Sequence, residues 1–233
     1  MSVCLRYPRF CSDIRLVICD MDGLLLDTER LSEDSFRQTS AAFDLGFDDD
    51  LFAALTGLSG PAHLPVLKAH LPADKDAAAF DRLWKQIYQD SLAEHVPVKT
   101  GAQSFINFVS QTGLPLAVAT SSRTDKAKEQ LEKVGFAACF DLIVGGDQVI
   151  KAKPHPEIYH KVISSFQRDA GQVLVLEDSN NGVRAGLAAG ANVIQIADRL
   201  SPDPGFSDLK SYDSQDSLLH VQEHLTVATC GER

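Results

Sequence analysis

Asp20 and Asp22 are two carboxylates two residues apart, and Gly23 follows them. Like charges held that close are costly unless a cation or a proton separates them. The pair therefore suggests a metal-assisted site in which one carboxylate is ionised and the other carries a proton. Three more polar clusters complete the inventory: Thr120-Ser121-Ser122, Lys151-Ala152-Lys153-Pro154 and Glu177-Asp178. Taken singly, these read as a turn, a helix cap, an exposed loop lysine and a charged turn. Acid, hydroxyl, lysine and acid together suit phosphoryl transfer, where negative oxygens must be neutralised and phosphorus aligned with a nucleophile. In that chemistry Asp20 is the nucleophile, forming an aspartyl phosphate. Asp22 protonates the leaving alcohol and later takes a proton from water. Lys153 screens charge between Asp20 and the phosphate. Thr120 offers its hydroxyl, and Ser121 the next backbone N–H. Mg²⁺, which binds one or two carboxylates and keeps several waters, can bridge Asp20, a neighbouring carbonyl, Asp178 and a phosphate oxygen.

The elements that must position these residues follow from hydrophobic periodicity. Each cluster lies just beyond a short apolar run: Arg15 to Cys19, Leu116 to Thr120, Leu142 to Val144 and Val173 to Leu176. Runs of this kind read as buried strands of a parallel sheet. In an open α/β sheet the ligand edge is the carboxyl edge, so the clusters can converge there. From Val96 onward strands alternate with helices over 102–111, 124–134, 156–166 and 183–189, and Val193 to Ile196 adds a further strand. This is the signature of a doubly wound sheet. Between Ser32 and His95 there is no strand signal. A helix starting near Ser32-Glu33-Asp34, a second from Phe52, and a long one over 74–95 with Phe80, Leu83, Trp84, Ile87, Tyr88 and Leu92 on one face make an all-helical block. Pro65 and Pro72 punctuate it. Asp48-Asp49-Asp50 reads as a solvated loop or helix start. His63, His70 and His95 lack metal-ligand spacing. Residues 1–13 read as an irregular lead-in, and the tail after Ser201 as turns with one last helix over 218–225.

The expected fold is thus α/β: a Rossmann-like parallel-sheet core, residues 1–27 and 97–233, with a helical cap domain inserted over 28–96. A chain of 233 residues and formal net charge −10 carries no basic footprint for nucleic acid, and its anionic balance opposes binding to anionic membranes. The five cysteines are odd in number and form no C-x-x-C pair, so a reducing, cytoplasmic setting is expected. No apolar stretch suits a signal peptide or a membrane span. The expected partner is a small phosphorylated metabolite, bound by a monomer.

The run from Asp20 to Glu29, Asp20-Met21-Asp22-Gly23-Leu24-Leu25-Leu26-Asp27-Thr28-Glu29, resembles the first motif of the haloacid dehalogenase-like superfamily of phosphohydrolases. Thr120 matches its second motif, Lys153 its third and Glu177-Asp178 its fourth. Lys153-Pro154-His155-Pro156-Glu157-Ile158-Tyr159 and Glu177-Asp178-Ser179-Asn180-Asn181-Gly182 strengthen the match, which spans roughly Arg15 to Ile196. The resemblance implies Asp20, Asp178 and the carbonyl of Asp22 as magnesium ligands, with Glu177 secondary. The dehalogenases lack the second aspartate, so Asp22 argues against dehalogenation. The subgroup is similar to β-phosphoglucomutase and related sugar-phosphate phosphatases. Mutases of this type carry a histidine where this chain has Ser32 and an arginine where Gly60 aligns, so a phosphatase is expected and a mutase is the alternative. Thr56 to Pro61 is the cap segment expected to face substrate. A phosphoacceptor signalling domain is disfavoured by the inserted block and by Asp22 beside Asp20.

Overall fold

Leu16-Val17-Ile18-Cys19 contains no polar side chain, and all four residues are buried. An extended segment that is apolar on both sides is stable only with both of its faces covered, and here it becomes an interior strand. The computed structural model describes all residues except Met1, Gly57, Ser59, Arg199, Leu200 and 231–233. In chain order the elements are β1 (Ser2–Arg6), β2 (Leu16–Cys19), α1 (Thr28–Ala42), α2 (Asp49–Leu55), α3 (Gly60–His70), α4 (Ala77–Glu94), α5 (Ala102–Thr112), β3 (Leu116–Ala119), α6 (Thr124–Lys133), β4 (Leu142–Val144), α7 (Glu157–Ser165), β5 (Val173–Glu177), α8 (Asn180–Ala188), β6 (Asn192–Gln195), β7 (Tyr212–Ser214), α9 (Leu218–His224) and β8 (Thr226–Cys230).

Six strands form one sheet in the order β4-β3-β2-β5-β6-β7, every neighbouring pair parallel. The chain steps outward from β2 to β3 and β4, then crosses back to β5 on the other side of β2. The strand order therefore reverses around β2, and a doubly wound sheet opens its ligand crevice at that switch point. On one face Leu16 and Ile18 of β2, Val173 and Val175 of β5, and Val193 of β6 are buried with Ile158, Tyr159 and Val162 of α7 and Val183 and Ala185 of α8. This is the Rossmann-like α/β arrangement.

The chain packs into two units, residues 1–26 with 98–233, and residues 27–97. The second unit is all helical among its described residues. Its core is aromatic: Phe36 meets Trp84 edge-on at 5.1 Å and Phe80 at 5.2 Å. Aspartates cap two of its helices, as Asp48 accepts the Leu51 N–H at 2.9 Å and Asp76 accepts those of Ala78 and Ala79. Asp48-Asp49-Asp50 is accordingly a helix start.

Several local expectations need correction. The first cap helix opens at Thr28, four residues before Ser32, with Thr28 itself buried. Pro65 lies inside α3 rather than ending it. A proline in a helix forfeits one hydrogen bond, and here the helix continues through it. Residues 1–13 are not wholly irregular: β1 pairs antiparallel with β8, Ser2 opposite Cys230. The tail also adds β7 to the main sheet.

Candidate active site

Asp20 leaves β2 with its backbone still in the ladder, its N–H donating to the Leu176 carbonyl at 2.9 Å. The next residues turn sharply, the Leu25 and Leu26 N–H groups both donating to the Met21 carbonyl. Gly23 allows this turn at φ +82°, in the left-handed region. A Cβ there would lie 2.3 Å from Oδ2 of Asp178. The missing side chain is thus what lets the β2 loop and the β5 loop bring their acids together.

One carboxylate oxygen from each of Asp20, Glu177 and Asp178 lies within 4.8 Å of the other two. Asp20 and Glu177 are buried. Lys153 Nζ donates to Asp20 Oδ1 at 2.5 Å, to Glu177 Oε1 at 2.6 Å and to the Ala119 carbonyl at 2.9 Å, which uses all three ammonium hydrogens. Burial disfavours charge on Lys153, yet the two carboxylates outweigh it and hold the ammonium protonated. Burial pushes the Asp20 carboxyl well above the ordinary carboxylate range; Lys153 pulls it down, and Glu177 and Asp22 push it further up. One lysine does not neutralise three clustered acids. Their shared surplus of negative charge and their oxygen-only donor set fit a hard divalent cation such as Mg²⁺.

Glu177 differs from its neighbour. Oε1 accepts from Lys153 and from the Tyr159 hydroxyl at 2.5 Å, while Oε2 accepts from the Ser179 N–H at 3.3 Å and the Ser179 hydroxyl at 3.1 Å. A carboxylate has about four lone-pair positions, so these donors saturate it. Burial raises the Tyr159 phenol and keeps it a donor.

Across the crevice Asp22 Oδ2 accepts the Ser122 hydroxyl at 2.7 Å, and the Thr120 hydroxyl lies 3.4 Å away. The Thr120 oxygen in turn accepts the Ser122 N–H at 3.0 Å. The loop is seated on glycine: a Cβ on Gly145 would meet the Thr124 nitrogen at 2.3 Å, and one on Gly146 the Ser121 carbonyl at 2.5 Å. Ser121 is exposed at this turn. Lys153 is held on its loop by Glu157, whose carboxylate accepts the N–H groups of Ile150 at 2.8 Å and Lys151 at 3.1 Å.

The structure therefore brings Asp20, Lys153, Glu177 and Asp178 into one cluster and sets Asp22 with Thr120 beside Ser122. Ser32 lies in α1 and Gly60 opens α3. Of the expected cap segment Thr56 to Pro61, Gly57 and Ser59 lie outside the described residues. His63 stacks on Trp84 at 5.1 Å, which is a packing role. From the sequence alone, Ser122, Tyr159 and Ser179 have no assigned role. A signal existed for Tyr159: it sits among Ile158, Val162 and Ile163 on the buried face of α7, where a phenol must find a partner.

The model of the haloacid dehalogenase-like hydrolases matches residues 17–196. The chain belongs to that family. It is 32% identical over 174 residues to a phosphorylated carbohydrates phosphatase of Thermotoga maritima, covering 75% of this chain and 81% of that protein. Among solved structures, it is similar to one from Thermotoga maritima named for β-phosphoglucomutase, with TM-score 0.74 and 28% identity over 90% of this chain and 99% of that one. It is also similar to CbbY from Rhodobacter sphaeroides in complex with phosphate, with TM-score 0.70 and 27% identity over 89% and 96%. With this family and this site, the chain is an enzyme of the phosphatase type. No helix among the described residues is long and apolar enough to cross a membrane.

Proposed function

We propose that the chain is a magnesium-dependent phosphohydrolase acting on a small phosphorylated metabolite, a sugar phosphate or similar, through an aspartyl phosphate on Asp20. The observation that carries this reading is the buried Asp20 carboxylate, gripped by Lys153 at 2.5 Å and ringed by Glu177 and Asp178. Asp20, Asp178 and the main-chain carbonyl of Asp22 would hold Mg²⁺, which supplies positive charge against phosphate oxygens and favours the ionised form of Asp20.

In the first step an Asp20 oxygen attacks phosphorus and the ester P–O bond breaks. Asp22 gives its proton to the departing alkoxide. In the second step Asp22 takes a proton from water, the water oxygen attacks phosphorus, and the bond to Asp20 breaks to release phosphate. General acid–base help of this kind is worth roughly 10²–10⁴-fold in rate. The Ser122 hydroxyl holds the Asp22 carboxyl in place for both proton transfers. Thr120 and the Ser121 N–H face the phosphate. Lys153 holds its charge between Asp20 and the phosphate oxygens, and Glu177 acts as the counter-charge that aims it.

A carbohydrate phosphate is supported by the relative named for phosphorylated carbohydrates. Serine at position 32 and glycine at 60 favour hydrolysis over the mutase alternative. Free Cys11, Cys19 and Cys139 support a reducing, cytoplasmic setting, and we expect a monomer. The test is phosphate release from a panel of sugar phosphates, nucleoside monophosphates and phosphoglycolate, with Mg²⁺ and with chelator. β-Glucose 1-phosphate with a trace of the bisphosphate is included. Magnesium-dependent release supports the reading; conversion to glucose 6-phosphate without release replaces it with the mutase. Release that is indifferent to chelator removes the metal from the account.

A further inference from the structure

Gln195, the last residue of β6, is fully buried. A buried primary amide must satisfy donors and acceptors at both of its ends. Nε2 of Gln195 donates to the Asp178 carbonyl at 3.1 Å and to Asn180 Oδ1 at 3.2 Å, and its Oε1 accepts the Tyr212 hydroxyl at 2.8 Å. The orientation is forced by backbone groups. Asn180 Oδ1 also accepts the Asp203 N–H at 3.0 Å, and its Nδ2 donates to the Ser201 carbonyl at 3.1 Å. Those main-chain partners fix which end of Asn180 is oxygen, and the oxygen then demands a donor from Gln195. A Gln195 flipped by 180° would set its oxygen against two acceptors.

The consequence falls on Asp178. Its side chain belongs to the acid cluster, and its main-chain carbonyl is tied to the sheet by this amide. The ladder adds a second tie one residue earlier, where the Ile196 N–H donates to the Glu177 carbonyl at 2.7 Å. We infer that Gln195, itself held by Tyr212, is a positioning residue that sets the Asp178 carboxylate at the cation site. The inference rests on the cation reading of the acid cluster. It assigns a role to a residue outside the four motif clusters.

Groups that hold a metal ligand in place typically change affinity by roughly 10–100-fold when removed. The experiment is direct titration of the full chain with Mn²⁺, followed by electron paramagnetic resonance, which needs no substrate. Gln195→Leu keeps most of the volume and loses the donor. Tyr212→Phe removes only the hydroxyl that orients the amide, and it serves where Gln195→Leu fails to fold. Asn192→Ala is the control: it deletes a buried amide at the other end of β6, bonded to the carbonyls of Gly171 and Val173. The expected result is a Kd for Mn²⁺ weakened roughly 10–100-fold in Gln195→Leu, a smaller shift in the same direction in Tyr212→Phe, and no shift in Asn192→Ala. The Mg²⁺ concentration for half-maximal activity should rise in parallel, with kcat at saturating Mg²⁺ retained. Wild-type affinity in both test variants, or an equal loss in Asn192→Ala, overturns the positioning role while the cation site stands. Wild-type protein that binds no Mn²⁺ overturns both.

Discussion

Gly182→Ala should destabilise this protein although alanine is the better helix former. Gly182 is the third residue of α8, where alanine replacing glycine is favoured by about 1 kcal/mol on propensity alone. A Cβ at this position would lie 1.9 Å from both Cδ and Oε1 of Glu177, whereas real contacts are not closer than 3.0 Å. The carboxylate has no free direction to retreat, since Lys153, Tyr159 and both polar groups of Ser179 hold its two oxygens. Overpacking costs about 1–3 kcal/mol, and losing one charged hydrogen bond costs about 1.5–3 kcal/mol. Against the propensity gain, a net loss of about 1.5–5 kcal/mol remains. For a chain of this size that is a fall in Tm of about 3–20 °C. Thermal unfolding by circular dichroism measures it, with Gly46→Ala as control, since nothing lies within 4 Å of a Cβ there. Phosphate release should fall too, because a displaced Glu177 lets go of Lys153. A Gly182→Ala protein that melts at or above wild type with full activity would refute the view of Glu177 as an immobile counter-charge.

Further outcomes follow from the same contacts. Tyr159→Phe removes one of four donors to Glu177 and should cost about 1.5–3 kcal/mol of stability by denaturant unfolding, with the ring still packed beneath Lys153 at 5.2 Å. Glu157 is held below its ordinary range first by the Ile150 N–H, with the Lys151 N–H adding to it. A depressed carboxyl stabilises the fold above its unfolded pKa, and that contribution is lost as pH falls through the folded value. Glu157→Gln should therefore flatten the acid side of the Tm profile below about pH 4.3, and an unchanged profile would remove the loop anchor. Asp22→Asn should slow turnover of a sugar phosphate by roughly 10²–10⁴-fold while leaving the melting curve in place.

The catalytic edge is legible in the sequence because its determinants are local. Apolar runs such as Leu16 to Cys19 and Val173 to Leu176 admit one reading, and each ends in the polar residue that matters. What the sequence hides is pairing between distant segments. Ser2–Arg6 and Thr226–Cys230 are half polar, and neither shows a strand until it meets its partner at the opposite end of the chain. Tyr212–Ser214 is three residues with two polar side chains, recruited by β6 rather than by its own periodicity. The start of α1 is obscured because Asp27 and Thr28 read as part of the preceding motif, and no side-chain cap marks the boundary. In the site, acids and lysine are recognisable as types, but the division of labour between Glu177 and Asp178 comes only from the family resemblance and not from the residues themselves. It depends on Tyr159, Ser179 and Gly182 converging on one carboxylate, and on Gln195 reaching the carbonyl beside the other.

In the proposed mechanism the phosphoryl group passes through Asp20. The most direct measurement is acid quench of the protein during turnover of ³²P-labelled p-nitrophenyl phosphate, whose activated leaving group speeds the first step and lets the intermediate accumulate. Label is expected on the precipitated protein within the first turnover, mapped to the peptide containing Asp20 and absent from Asp20→Asn. Release of phosphate at full rate with no label on the protein, or undiminished turnover by Asp20→Asn, would contradict it.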